Sequence, residues 1–124
     1  MEHQHQTVSH SSSLHLHEML IEKLLKCMQA CEQCATACLQ ETEVTPMAKC
    51  IALDRDCADI CALTARLLMR NSEVAHNMLM LCETICRHCA EECGSHEHEH
   101  CTLCAAACNA CGEACNEHLQ LATV

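Results

Sequence analysis

The chain has no phenylalanine, tyrosine or tryptophan, only two glycines and one proline. Without aromatics to fill a sheet interface or glycines for its many turns, a β-sandwich is excluded, as is a Pro/Gly-rich disordered chain. Basic residues are scarce as well: seven Lys and Arg against 17 Asp and Glu leave a net charge of −10. Phosphate recognition needs clustered Lys and Arg, so nucleic acid is not an expected partner. No stretch reaches the about 18 apolar residues of a membrane span. The opening MEHQHQTVSHSSS has neither a basic n-region nor an apolar h-region. The expectation is a cytoplasmic protein with no membrane partner, in a compartment where thiols stay reduced.

What the chain does have is sulfur, 16 cysteines in 124 residues, the density of a disulfide or metal scaffold. The length suits one domain. Residues 1–12, with His3, His5 and His10 among Gln and Ser, read as a flexible His-containing tail, and 13–124 as a four-helix-bundle metal-binding domain. Ser13 is expected to cap a first helix that runs to about Gln40. Thr45 and Pro46 are expected to open a second ending near Arg70, and Ser72 to cap a third that Gly94 ends. A fourth is expected from about Glu97 to Leu121. Long helices with short connections make antiparallel neighbours. The expected class is all-α, an antiparallel up-down-up-down four-helix bundle with a Cys-lined core.

The cysteines fall in related runs, CMQACEQCATAC, CETICRHCAEEC and CTLCAAACNACGEAC, which suggests duplication of a ligand-bearing helix. At 100° per residue, Cys27, Cys31, Cys34 and Cys38 lie within about 60° of one another, as do Cys82, Cys86, Cys89 and Cys93. Cys50, Cys57 and Cys61 span about 40°, and Cys101, Cys104, Cys108, Cys111 and Cys115 about 80°. Each helix thus carries one sulfur stripe, narrow enough to face a bundle core. Sulfur fills the C-terminal halves of helices one and three and the N-terminal halves of two and four, which an antiparallel bundle puts at the same end. At the other end the stripes continue as Leu20, Leu24, Leu68, Ala75, Leu79 and Leu119. The picture is a thiol-lined tube with an apolar plug.

Several readings compete for such a tube. Cysteines serving only as small hydrophobes would forfeit packing and apolar burial. Disulfides within a helix are geometrically poor, since i,i+4 Cβ atoms sit about 5–6 Å apart and a bridge needs about 3.8 Å; bridges between helices need an oxidising compartment. Zinc and iron–sulfur clusters each want closed sets of four ligands. Two-coordinate thiolate sites suit Cu(I), and a continuous row of Cys pairs favours that ion, with multiple ions at roughly one per Cys, about 16 in all. Each Cu(I) replaces one thiol proton and leaves the core near neutral. A zinc or mixed-metal thiolate buffer is the alternative.

CMQACEQCATAC, CIALDRDCADIC, CETICRHCAEEC and CTLCAAACNACGEAC, in this order on four helices, resemble the four-helix-bundle copper storage proteins of the cytosolic type. The likeness covers the chain from about Leu14 to Leu121. It implies Cu(I) ligation inside the bundle by all of the Cys residues just named, copper sequestration and detoxification in the cytosol, and a homotetramer. With no Ser/His/Asp constellation or cofactor fingerprint in the sequence, no catalytic activity is expected. A copper chaperone or a copper-requiring enzyme is the kind of protein partner that such a store implies.

Other residues at the sulfur end invite roles. His96, His98 and His100 in GSHEHEHC, with Met47 on the Cys50 stripe, are expected to form a gate through which copper loads, since imidazole and thioether both accept Cu(I). Asp54 stands on the stripe between Cys50 and Cys57, where it is a candidate auxiliary oxygen ligand. His96 to His100 also spells H-E-x-x-H, but after Gly94 it straddles a helix end, against the single helical face that a metalloprotease needs. Glu73 and His76 form a lone E-x-x-H without the second set of a di-iron bundle. His118 is expected as a partly exposed surface residue.

Overall fold

The structure, a computed structural model, describes the backbone of residues 2–123 and the side chains of residues 17–121. Its helices are α1 (Glu2–Leu39), α2 (Ala48–Met69), α3 (Ala75–Gly94) and α4 (Glu99–Thr123). Each packs on the next in the chain and α1 closes on α4, which is the up-down-up-down ring. Helix α1 is continuous from Glu2, without a boundary at Ser13. The expected tail, residues 1–12, lies outside the residues whose side chains are described.

The connections show how the ends are made. Thr45 does not cap α2. It opens a 3-10 turn, Thr45–Met47, with Val44 at its N-cap, no side-chain cap and Pro46 in its first positions. A proline has no N–H to leave unpaired there, and the tighter winding seats Met47 in the core at 3% exposure. Helix α2 ends in a Schellman motif: Ser72 N–H donates to Leu67 O at 2.9 Å and Asn71 N–H to Leu68 O at 3.2 Å. Asn71 takes the left-handed φ of 51°, which asparagine tolerates better than most residues. Ser72 is thereby engaged in stopping α2. Its hydroxyl accepts from Val74 N–H at 3.3 Å, and the regular part of α3 starts only at Ala75.

The plug is as expected. Leu20, Leu24, Leu68, Ala75 and Leu79 are buried, and Leu119 packs against them partly buried. Thr64 shares this interior, its hydroxyl satisfied by Ile60 O at 2.7 Å. His17 Nε2 donates to Leu68 O at 2.9 Å and ties α1 to α2. His118 lies half-buried beside it, ring centres 6.0 Å apart. Burial, then the neighbouring His17 and His76, hold the His118 pKa below the ordinary histidine value.

Because thiols contribute little apolar area, the plug should carry much of the metal-free stability. Leu24→Ala, at a site with 0% exposure, is expected to cost about 2–5 kcal/mol in urea unfolding of the reduced protein. Leu25→Ala, 38% exposed on the same helix, should stay within about 0.5 kcal/mol.

Candidate metal centre

All 16 cysteines are free thiols, and each is at most 1% exposed. The stripes meet on the bundle axis as a continuous column. At one end the sulfurs of Cys34, Cys38, Cys50 and Cys101 lie within 4.8 Å of one another. Cys50 then reaches Cys93 at 3.3 Å, and Cys93 reaches Cys89 at 3.9 Å. Below them come quartets at the same spacing: Cys31, Cys89, Cys104 and Cys108; Cys27, Cys31, Cys57 and Cys108; Cys27, Cys57, Cys61 and Cys86; and Cys61, Cys82, Cys86 and Cys111. Cys115, fully buried, closes the column beside Cys111 and Cys82. Each of these four lower quartets shares two sulfurs with the next, and the Cys50–Cys93 contact joins the first quartet to the sulfurs below it.

Asp54 stands inside this column at 0% exposure. Its Oδ1 accepts hydrogen bonds from the thiols of Cys104 at 3.2 Å and of Cys89 and Cys93 at 3.3 Å. Its Oδ2 faces Cys50 at 3.7 Å. The carboxyl therefore joins three helices just below the first quartet. Burial first, and then the charge of Cys104, push it up to about 10. It is a neutral acid at physiological pH in the metal-free protein.

The three histidines at the mouth have different partners. His100 points inward, with Nδ1 3.5, 3.6 and 3.8 Å from the sulfurs of Cys101, Cys34 and Cys38. His98 stacks on the His100 ring at 5.2 Å and is 43% exposed. His96 turns away and pairs with Glu92 at 2.8 Å, and Glu92 also meets Lys49 at 3.8 Å. Because His96 precedes α4 while His100 lies in its first turn, the two ends of H-E-x-x-H address different partners. Met47 is buried at this end. Sequence patterns did not flag Glu41, in the α1–α2 turn, yet its Oε2 meets both His100 and His98. The His100 hydrogen bond holds its pKa below the ordinary carboxylate value.

The chemistry that this column offers is thiolate ligation coupled to proton release. Burial pushes Cys38 up to about 11, with the Cys50 charge adding to it, and raises Cys101 as well. Hydrogen bonding within the mouth, with Cys34 first and then Cys93, shifts Cys50 downward. At a metal–sulfur distance of about 2.3 Å, two ligands of one ion stand up to about 4.6 Å apart. The neighbouring sulfurs here, between 3.3 and 4.0 Å, reach that span with only a small opening.

Asp54 gives this site a pH signature. A group whose folded-state pKa lies above its ordinary 3.8 costs the fold nothing below that value and costs progressively more as pH rises toward the shifted one. Asp54→Asn has no charge to bury. In urea unfolding of the reduced, metal-free protein, the Asn variant should gain on the wild type steadily as pH is raised from about 4 to about 9. A constant difference would mean that Asp54 is not held neutral.

Comparison with known proteins sets this column in a family. The family model described as copper storage protein matches residues 13–120. A cysteine-rich protein of Bacillus subtilis, YhjQ, is 45% identical over 84 residues, 68% of this chain and 78% of that one. Among solved structures, Cu(I)-bound copper storage protein BsCsp3 is 43% identical with a TM-score of 0.80, covering 82% of this chain and 96% of that one. A cytosolic copper storage protein from Streptomyces lividans, seen with five coppers, is 44% identical with a TM-score of 0.83, covering 86% and 93% of the two chains. With the thiol column and four-helix ring already in place, the match over residues 13–120 is decisive: this chain belongs to the copper storage protein family.

Proposed function

We infer that this protein is a high-capacity store for Cu(I), held as cargo by the thiolates of all 16 cysteines and sequestered from the rest of the cell. The observation that carries this reading is the overlap of the quartets. Cys27, Cys31, Cys57, Cys61, Cys86 and Cys108 each belong to two of them, which suits bridging thiolates between two-coordinate ions. Zinc in closed tetrahedra of four would leave such sharing unused. Charge favours the same ion: each Cu(I) replaces one thiol proton and leaves the net charge of the core unchanged, and among the described residues no basic side chain is buried there. Asp54 is then an auxiliary oxygen donor in the upper part of the column.

The role fits storage better than catalysis, since an ion enclosed between buried thiolates offers no open position to a substrate. We assign the storage unit to residues 13–124. As the Streptomyces relative is a cytosolic protein, we place this one in the cytosol too, assembled as a homotetramer, with a copper chaperone or copper-requiring enzyme as exchange partner. Copper loads at the mouth, where His100 offers the inward nitrogen, with His98 outside it and His96 and Met47 to the sides.

Anaerobic titration of the reduced protein with Cu(I) against a coloured cuprous chelator tests the store. Uptake should continue to roughly one ion per Cys, about 16, before the chelator colours. Saturation after a few ions would overturn the reading in favour of four-coordinate zinc. In the same assay, replacing His96, His98 and His100 together by Ala should slow loading and leave capacity unchanged; an unchanged rate would remove the gate.

A further inference from the structure

Glu41 occupies the turn between α1 and α2, and one of its oxygens serves two rings, His100 in the first turn of α4 and His98 just before it. Oε2 lies 2.8 Å from His100 Nε2 and 3.4 Å from His98 Nδ1. A carboxylate only accepts hydrogen bonds, so the N–H of the His100 pair sits on Nε2. In a neutral imidazole the other nitrogen is then a bare lone pair. That nitrogen, Nδ1, is the one facing Cys101, Cys34 and Cys38 at 3.5–3.8 Å. The reverse tautomer would turn an N–H toward the thiols and leave nothing there to bind a cation.

We propose that Glu41 is a positioning residue for copper loading: by accepting the hydrogen bond from His100 Nε2 it fixes that imidazole in one tautomer and one orientation, with Nδ1 presented as a Cu(I) ligand toward Cys34, Cys38 and Cys101. The proposal rests on the loading role given to His100 above. The arrangement follows a general rule of metal sites, in which a ligating histidine gives its second N–H to a carboxylate. Here the carboxylate comes from a different connection than the histidine. Its side chain is 29% exposed and that of His100 23%, so the pair sits at the boundary between solvent and column, where an arriving ion loses its carrier. The near-parallel His98 ring, at 5° to His100, covers the outer face of the imidazole and lies within ion-pair distance of the same oxygen at 3.4 Å, which narrows the orientations left to the pair.

The full-length, reduced protein is loaded with Cu(I) from a cuprous chelator under stopped flow, and the His100 tautomer is read by long-range proton–nitrogen NMR correlations in the metal-free state. The wild type should show Nε2–H. Glu41→Ala should show mixed tautomers and load about 10-fold more slowly, with unchanged final capacity. Glu41→Gln, whose amide oxygen can accept the same bond, should restore both tautomer and rate. The double variant Glu41→Ala/His100→Ala should load no more slowly than His100→Ala alone. An unaltered tautomer and rate in Glu41→Ala, or additive slowing in the double variant, would overturn the proposal and leave the loading role of His100 standing. A wild-type rate in His100→Ala would overturn that role itself, and the proposal with it.

Discussion

A thiol side chain is too short to fill the space between four helices. In an ordinary bundle, Leu and Ile side chains bridge that space from both sides, and their burial holds the helices at a fixed distance. Here the axis from Cys34 and Cys38 down to Cys82 is lined with sulfur at contacts of 3.3–4.0 Å, so the sulfur end contributes contact without much hydrophobic driving force. Much else in the molecule follows from this. The leucines gather at the opposite end, the helix turns are tied by backbone motifs such as the one at Asn71 and Ser72, and the interior is completed by what binds in it. Cargo that bridges facing helices stabilises the assembly by its binding free energy, since the unfolded chain has no such arrangement of ligands.

Asp54 sits at a second balance point. A carboxylate at 0% exposure would be costly as an anion, and its neighbours are thiols, weak donors that only partly repay the loss of water. The shift to about 10 is the protein's answer in the metal-free state: it keeps the proton. If Asp54 is an auxiliary ligand as proposed, cations alongside would let it release that proton and place a negative charge where they concentrate positive charge.

The fold was legible from sequence because its strongest signal was also its functional one. A residue as unusual as Cys, repeated every three or four positions, marks the inward face of each helix more clearly than Leu or Ala could, and the staggered placement of sulfur along successive helices orders the two ends. Asp54 was visible for the same reason, as the odd residue on a regular stripe. What stayed hidden depends on contacts between connections. Nothing in QETEVT marks Glu41 as the partner of His100, since the meeting is made by the packing of α1 on α4. Likewise three closely spaced histidines look equivalent in sequence. The start of α4 separates them, sending His100 to the thiols and His96 to Glu92. The capping residues Thr45 and Ser72 were misplaced because burial of Met47 and the stop of α2 took precedence over local preference.

The plug of Leu20, Leu24, Leu68 and Leu79 has a kinetic meaning as well as a structural one. A conduit sealed at one end and reached from the other behaves as a stack, in which the last arrival is the first to leave. If copper loads at the His100 end as proposed, ions taken up early would pass toward Cys115 and form the reserve, while exchange with the surroundings would be confined to those nearest His100. Such a store would answer small fluctuations from its uppermost layer alone and open its depths only under sustained demand.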